Sequence, residues 1–285
     1  MNNLESHLFE TNAVKVCHGD KPFWLTSGKI GPYFINTHFV YGSEADAVEL
    51  LNFIDENMKK DVSSFSLNLL KRVKSQYDTN SIYHNVIDQM VSFIKENINV
   101  DDIDYISGGE RRDWFFSVII SYLLDKPHIT IFKDLSTYVS DSHFEHTEAV
   151  SSIAGKKVLH VTDLITIASS FIRAWIPAIQ NLGGELIWAL SVVDRMQGGK
   201  ERLEDLGIKS YSLVCIDEGL FKDAFDKGII DETQFNLVSE FIKDPDGSME
   251  IFVKEHPEFI EASLHADAKT AGRAKLCIDS HFYGL

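Results

Sequence analysis

The stretch VLHVTDLITIASS, residues 158–170, decides the fold of this chain. Its first half is apolar and is typical of a buried strand, and its second half is a turn rich in hydroxyl groups that begins a helix. In α/β proteins such a strand–turn–helix holds phosphate, because backbone N–H groups at the helix N-terminus attract an anion. Ile167 and Ala168, however, stand where a phosphate-binding turn usually has glycine.

Strands and helices alternate on both sides of this stretch. The alternation predicts a central parallel sheet flanked by helices on both faces, which is an α/β fold. Residues 134–155 have no clear period and are predicted to form a long loop, which in a compact domain is usually functional. The predicted strands are 103–107, 128–132, 157–162, 186–193 and 209–215.

Four regions divide the chain. Three helical segments without proline or glycine, near 44–60, 62–76 and 82–97, predict a helical block inserted before the α/β alternation. After residue 216 the chain is mostly helical and acidic, apart from a turn predicted at KDPDGS, 243–248. The predicted regions are an N-terminal hood element (1–42), the helical block (43–98), an α/β core (99–216) and a C-terminal helical extension (217–285).

The composition excludes several classes of protein. A net charge of −16 over 285 residues argues against nucleic acid as a partner. The longest apolar run, LIWALSVV at 186–193, is too short to cross a membrane, and the N-terminus lacks the pattern of a secretory signal. We therefore expect a cytoplasmic protein whose three widely spaced cysteines are reduced.

Three groups of polar residues fall at predicted strand ends, where an open parallel sheet binds its ligands. Asp163, Thr166, Ser169 and Ser170 follow the opening strand; the alternative is that a hydroxyl only caps the helix. In Gly108–Arg112, the glycine turn could form an anion nest, and the two arginines could bind a pyrophosphate. The alternative is a surface turn in which arginine pairs with Glu110 and Asp113. Arg195 could hold a carboxylate or form a surface pair with Asp194.

Together these motifs resemble the type I phosphoribosyltransferases, most closely the orotate phosphoribosyltransferases. The resemblance rests on KPFWLTSGKIGPYFIN (21–36) and on the segment 156–199, which covers the opening strand, a helix, a glycine turn and the Asp-Arg pair. It implies a phosphoribosyltransferase-type fold and transfer of ribose 5-phosphate from phosphoribosyl pyrophosphate to a nucleobase such as orotate. It also implies Mg²⁺ with the pyrophosphate, no metal site made by the protein alone, and a homodimer.

By position, the resemblance also implies roles for individual residues. The substrate-binding residues would be Thr166, Ile167, Ala168, Ser169 and Ser170 at the 5-phosphate, Gly109, Arg111 and Arg112 at the pyrophosphate, Phe34 and Lys29 in the N-terminal stretch, and Arg195 at a base carboxylate. The catalytic residues would be Asp163, at the ribose hydroxyls, with Lys133 and His143 from the segment 133–150.

The chain departs from the family pattern at several of these positions. The family motif has two adjacent acids where this chain has Thr162 and Asp163, and a lysine where it has Thr26. KDLSTYVSDSHFEHTEAV (133–150) lacks the catalytic-loop pattern, although its His143 and His146 could instead bind a metal or belong to a polar loop. Each departure removes a charge-assisted contact worth about 1.5–3 kcal/mol. The alternatives to a transferase are therefore a non-catalytic binder or regulator, and a hydrolase of a phosphorylated ribose.

Overall fold

The computed structural model describes residues 1–19 and 21–285, which form two compact units. The first unit combines residues 1–36 with 217–285, and the second is continuous from 37 to 216. The strands are β1 (Val14–Val16), β2 (Phe23–Trp24), β3 (Ile30–Gly31), β4 (Tyr33–Ile35), β5 (Tyr105–Gly109), β6 (His128–Ile131), β7 (Thr137–Ser140), β8 (Thr147–Glu148), β9 (Lys157–Ile165), β10 (Glu185–Asp194) and β11 (Lys209–Cys215). The α-helices are α1 (Asn3–Glu10), α2 (Glu44–Asn57), α3 (Val62–Thr79), α4 (Ser81–Asn97), α5 (Trp114–Leu123), α6 (Ile176–Asn181), α7 (Gly199–Asp205), α8 (Glu218–Asp226), α9 (Glu232–Lys243), α10 (Pro245–Glu255), α11 (Pro257–Leu264) and α12 (Ala268–Asp279).

A seven-stranded sheet forms the centre of the second unit, in the order β11-β10-β9-β5-β6-β7-β8. The five strands from β11 to β6 are parallel, as the alternation of strands and helices predicts. Strands β9 and β10 are apolar along most of their length because both of their faces are covered. The predicted α/β fold of the phosphoribosyltransferase type, with added helices, is confirmed, and the parallel sheet lets the ends of β5, β6 and β9 meet at one edge.

The loop predicted over 134–155 is wrong for part of its length. Strands β7 and β8 form an antiparallel hairpin that pairs with β6 and makes the sheet mixed. The hairpin escaped prediction because β7 is only half-buried and its side chains show no alternation. Its backbone hydrogen bonds, rather than a buried apolar face, join it to the sheet.

Helices α2, α3 and α4 lie within the predicted helical block and follow its periodicity. Each begins at a side-chain cap, with Ser43, Asp61 and Asn80 accepting backbone N–H groups of the first turn. Helix α5 is buried over nearly all its length, which explains its uniformly apolar sequence.

The first unit packs the N-terminal strands against helices of the C-terminal region. Strands β1 and β4 pair antiparallel, and β2 pairs with β3. A core of residues from both ends of the chain includes Ile30, Phe252 and Tyr283, and the Tyr283 hydroxyl accepts the Ile30 N–H at 3.0 Å. The turn predicted at KDPDGS is wrong beyond Asp244, which caps α10, because Pro245 occupies the first helical position.

None of the helices in the described residues combines the length and the apolar character that crossing a membrane would require.

Candidate functional site

A cavity of about 340 Å³ opens in the second unit at the carboxyl ends of β5, β6 and β9. It is mainly polar, and its walls come from three segments that are far apart in sequence. This is the edge of a parallel sheet at which ligands bind. Its lining residues are Glu110, Arg111, Arg112, Asp113, Lys133, Thr162–Phe171 and Trp175.

The turn after β9 keeps its shape without glycine. Ala168 is buried and has a φ of +54°, in the left-handed region that glycine tolerates better than alanine. Ile167 is 45% exposed and also lines the cavity. The helix that follows begins as a π-helix at Phe171–Trp175, and Ser170 makes no capping side-chain hydrogen bond. The Ser170 hydroxyl, which lines the cavity, is therefore available to a ligand.

Replacing Ala168 with glycine is expected to stabilise the protein and widen the turn. Relief of the left-handed strain, about 1–2 kcal/mol, exceeds the entropic cost of glycine, about 0.5–1 kcal/mol. Thermal denaturation should show a higher melting temperature, whereas Ala271→Gly within α12 should lower it. A lower melting temperature for Ala168→Gly would show that the methyl group contributes more by packing than it costs in strain.

The two glycines at the end of β5 allow close packing. Gly108 and Gly109 are the last residues of β5, and neither has a positive φ. A Cβ atom at Gly109 would overlap three carbons of the Trp175 indole, and one at Gly108 would overlap the Ser117 side chain. The Gly109 N–H donates to the Asp113 carboxylate at 3.0 Å and is not free to bind an anion. The glycine nest that the sequence suggests is therefore absent at Gly109.

The two arginines have different surroundings. Arg111 forms an ion pair with Asp55 of α2. Arg112 is exposed at the cavity, where its positive charge opposes the rise in the pKa of Asp163. Arg112 is therefore better placed than Arg111 to meet an anionic ligand in the cavity.

Glu110 holds Lys133 at the cavity. Its carboxylate accepts the Lys133 backbone N–H at 3.0 Å and lies 3.6 Å from the Lys133 Nζ. The alternative in which Glu110 and Asp113 pair with the adjacent arginines is not what the structure shows. The Lys133 side chain is 68% exposed, so a ligand can reach its ammonium group.

Asp163 is a buried acid with a perturbed proton affinity. Burial, and then the neighbouring Asp113, raise its pKa to about 7, while Arg112 acts in the opposite direction. Its protonation therefore changes near neutral pH, which is frequent at functional sites.

Sequence reasoning missed Asp113 and Trp175 as residues of the cavity. Asp113 accepts the Thr162 hydroxyl at 2.7 Å and the His160 Nε2 at 3.3 Å. His160, on β9, is fully buried, as expected for a core histidine, and its Nδ1 lies 2.9 Å from the Ser107 hydroxyl. The signal that could have found Asp113 is its place at the end of a strand, directly after the arginine pair.

Arg195 lies outside the lining of this cavity. Its N–H donates to the Ile165 carbonyl at 2.9 Å, which holds it beside the turn after β9. Within residues 1–19 and 21–285, its buried Nε atom has no hydrogen-bond partner. The alternative of a surface pair with Asp194 is not what the structure shows, and the Asp194 carboxylate accepts the Met196 N–H.

Within the second unit, the predicted site residues Gly109 and His143 are also outside the cavity lining. His143 lies in the turn of the β7–β8 hairpin, 3.8 Å from Asp125, because the segment expected to be a loop is paired with the sheet. Lys29 and Phe34 belong to the first unit. There Lys29 is bound to Asp246 at 2.7 and 2.8 Å, and Phe34 packs edge-on against Phe23.

In the part of the chain that the structure describes, there is no group of three or more His, Cys, Asp or Glu side chains that could hold a metal ion. The metal alternative for His143 and His146 therefore finds no support.

Comparisons with known proteins bear on the family. No family model matches the chain. The orotate phosphoribosyltransferase of Sulfurisphaera tokodaii is 25% identical over 220 residues, which cover 77% of this chain and 89% of that protein. The adenine phosphoribosyltransferase of Pseudoalteromonas translucida is 34% identical over 122 residues, covering 38% of this chain and 66% of that protein.

A solved structure of an orotate phosphoribosyltransferase has a similar fold. The orotate phosphoribosyltransferase of Francisella tularensis has a TM-score of 0.51 to this chain at 16% identity, covering 83% of this chain and 95% of that structure. At this identity the likeness is one of fold alone. In sequence this chain is similar to orotate and adenine phosphoribosyltransferases, and in fold it is similar to an orotate phosphoribosyltransferase.

Proposed function

We propose that this protein is a phosphoribosyltransferase that binds phosphoribosyl pyrophosphate in the cavity at the ends of β5, β6 and β9. One observation carries the proposal: the cavity unites the hydroxyl-rich turn 166–170 with Arg112 and Lys133. A phosphate-binding turn and two cations at one sheet edge suit a ligand with a phosphate at one end and a pyrophosphate at the other.

Each part of the cavity would hold one part of this ligand. The turn 166–170 would bind the 5-phosphate through backbone N–H groups and hydroxyls. Asp163 would accept hydrogen bonds from the ribose hydroxyls. Arg112 and Lys133 would bind the pyrophosphate, and Glu110 would keep Lys133 at the cavity.

The reaction would break the bond between the ribose C1 and a pyrophosphate oxygen and form a bond from C1 to a base nitrogen, which would release its proton to water. Pyrophosphate leaves with the electron pair, so Arg112 and Lys133 would stabilise the charge that develops on it. Mg²⁺ bound to the pyrophosphate oxygens would neutralise part of the same charge. Asp163, a carboxylate in the cavity lining, is the residue of this chain that would face the ion.

Calorimetric titration with phosphoribosyl pyrophosphate, with and without Mg²⁺, tests the proposal. We expect saturable binding that Mg²⁺ strengthens, followed by pyrophosphate release when a base is added. Orotate is the first base to assay, and adenine the second, because both kinds of phosphoribosyltransferase resemble the chain. Absence of binding at millimolar ligand would refute the proposal.

The two arginines should contribute unequally to binding. Arg112→Ala should weaken the binding of phosphoribosyl pyrophosphate about 10- to 100-fold, because it removes a charge-assisted contact worth about 1.5–3 kcal/mol. Arg111→Ala is the matched control and should have a smaller effect, since Arg111 is paired with Asp55. Titration calorimetry measures both variants, and the opposite ranking would contradict the assignment of Arg112 to the pyrophosphate.

Arg195 is proposed to select a base that carries a carboxylate. Its buried, unpartnered Nε supports this role, because an arginine can bind a carboxylate through two nitrogens. Arg195→Ala should raise the KM for orotate by about 10-fold or more and leave the KM for a base without a carboxylate unchanged. An equal change for both kinds of base would exclude this role. The parts of Phe34 and Lys29 stay predictions, as does the homodimer.

A second candidate function is that of a non-catalytic binder. It is favoured by the position of His143 in a hairpin turn, outside the cavity lining, where the family has its catalytic loop. A binder would give the same titration with phosphoribosyl pyrophosphate but no pyrophosphate release with any base. Steady turnover with one base would eliminate this candidate.

A further inference from the structure

Asp113 is a buried carboxylate that turns away from its own helix. It immediately precedes α5, where an aspartate commonly caps the first turn, yet it makes no side-chain capping hydrogen bond. Its side chain instead extends towards β9, and the residue is only 6% exposed. A charged group buried without a role in its own helix needs another explanation.

The donors to Asp113 come from the two strands that flank the cavity. One carboxylate oxygen accepts the Thr162 hydroxyl at 2.7 Å and the Asp163 N–H at 3.2 Å. The other accepts the Gly109 N–H at 3.0 Å and faces His160 Nε2 at 3.3 Å. Asp113 therefore fixes the end of β5 and the end of β9 relative to each other.

Thr162 connects this arrangement of hydrogen bonds to the family motif. The family motif has adjacent acids at the positions of Thr162 and Asp163, and this chain has lost the first. The Thr162 hydroxyl donates to a carboxylate that comes from a residue 49 positions earlier. Both Asp113 and Asp163 line the cavity, so two carboxylates are still present there.

Resting on the function proposed above, we propose that the acid pair of this site is divided between two elements. Asp113 supplies the acid that Thr162 no longer carries, and Thr162 has become its hydrogen-bond donor. Asp113 acts as a positioning residue, because its oxygens are engaged by protein donors. It holds the backbone of Asp163, so that the Asp163 carboxylate can meet the ribose, and it keeps a second negative charge beside it.

Moving the charge back to position 162 tests the proposal. Four variants of the full chain are compared with the wild type: Asp113→Asn, Thr162→Val, the double variant Asp113→Asn/Thr162→Asp, and Asp125→Asn. The last is a matched control, because Asp125 is a carboxylate outside the cavity lining. Binding of phosphoribosyl pyrophosphate with Mg²⁺ is measured by calorimetry, and folding by circular dichroism.

We expect Asp113→Asn to weaken binding about 10-fold or more, and Thr162→Val to weaken it less, because the latter keeps the charge. The double variant should recover part of the binding lost in Asp113→Asn, since the amide introduced at position 113 can donate to the carboxylate introduced at position 162, although its NH2 group no longer accepts the Asp163 N–H. Asp125→Asn should bind as the wild type does. A double variant that folds but binds no better than Asp113→Asn would overturn the proposal. If Asp113→Asn does not fold, wild-type binding by Thr162→Val would do the same.

A second measurement needs no ligand and separates this inference from the proposed function. The titration of the Asp163 carboxyl is followed by ¹³C NMR in the free protein. Loss of the neighbouring charge in Asp113→Asn should move its midpoint to lower pH, and Asp125→Asn should not. Should the wild type fail to bind phosphoribosyl pyrophosphate, such a shift would still establish the pair. An unchanged midpoint would overturn the inference, whatever the ligand.

Discussion

Asp163→Asn is expected to stabilise the ligand-free protein above neutral pH while lowering the proposed transferase activity. Burial and Asp113 raise the pKa of Asp163 to about 7, whereas an aspartate in the unfolded chain titrates near 3.9. The folded protein therefore binds more protons than the unfolded chain between about pH 4 and pH 7. Its free energy of unfolding should decrease as pH rises through this window, because the charged carboxylate is disfavoured in the folded state.

Asparagine has the shape of aspartate but does not titrate in this range. The free-energy cost of burying the charged carboxylate should therefore be absent in the variant. The variant should match the wild type near pH 4 and exceed its stability at pH 8 by about 2–4 kcal/mol. Thermal denaturation at both pH values measures the difference, and Asp125→Asn, at an exposed carboxylate, serves as the control. A difference between variant and wild type that is the same at pH 4 and pH 8 would contradict the assigned pKa.

Activity should change in the opposite direction. The neutral amide that Asp163→Asn introduces cannot accept ribose hydroxyls as strongly as a carboxylate does, and kcat/KM should fall by about 100-fold or more. A variant that is more stable but less active would show that the buried charge is kept for function.

Among the single substitutions described, Gly109→Ala is expected to cause the largest loss of stability. The added Cβ would overlap the Trp175 indole, and that ring cannot move aside because it is buried and stacks on His160. Overpacking of this kind costs about 1–3 kcal/mol, and more where the neighbour is rigid. Thermal denaturation should show a melting temperature lower by several degrees, together with loss of ligand binding.

Two further variants test whether the overlap with Trp175 causes this loss of stability. Gly272→Ala adds the same methyl group within α12, where the new Cβ would meet no atom within 4 Å apart from the adjacent residues and the helix's own backbone, and should stabilise the protein by about 0.5–1 kcal/mol. Trp175→Phe removes the indole carbons that the new Cβ would meet. Combined with Gly109→Ala, it should recover part of the lost stability, and simple additivity of the two changes would rule out the steric cause.

The regular elements of this protein could be predicted from local patterns. Strand β11 has the predicted bounds, 209–215, because Gly207 lies in a turn before it and Asp217 caps the helix that follows. Helices α3 and α4 follow a 3.6-residue period that one buried face enforces. The β7–β8 hairpin has no such pattern, since it is held by the edge of β6, and no local signal reports that edge.

The residues of the cavity also differ in whether local sequence could predict them. Residues directly after strands, such as Arg112 and Thr166, could be found because parallel strands end at one edge. The role of Asp113 could not, because its main partners are 47 to 50 residues away in sequence. The packing of Gly109 against Trp175 was likewise invisible, since only the folded chain brings the indole ring over β5.

The discontinuous first unit also sets the order in which the chain can fold during synthesis. The second unit is complete once residue 216 has been made, whereas Ile30 must await Tyr283, 253 residues later. At about 5–20 residues per second, a ribosome needs roughly 12–50 s to cover that distance. Throughout this interval the apolar side chains of the first 36 residues lack their core partners, so this segment is the part of the nascent protein most in need of a chaperone.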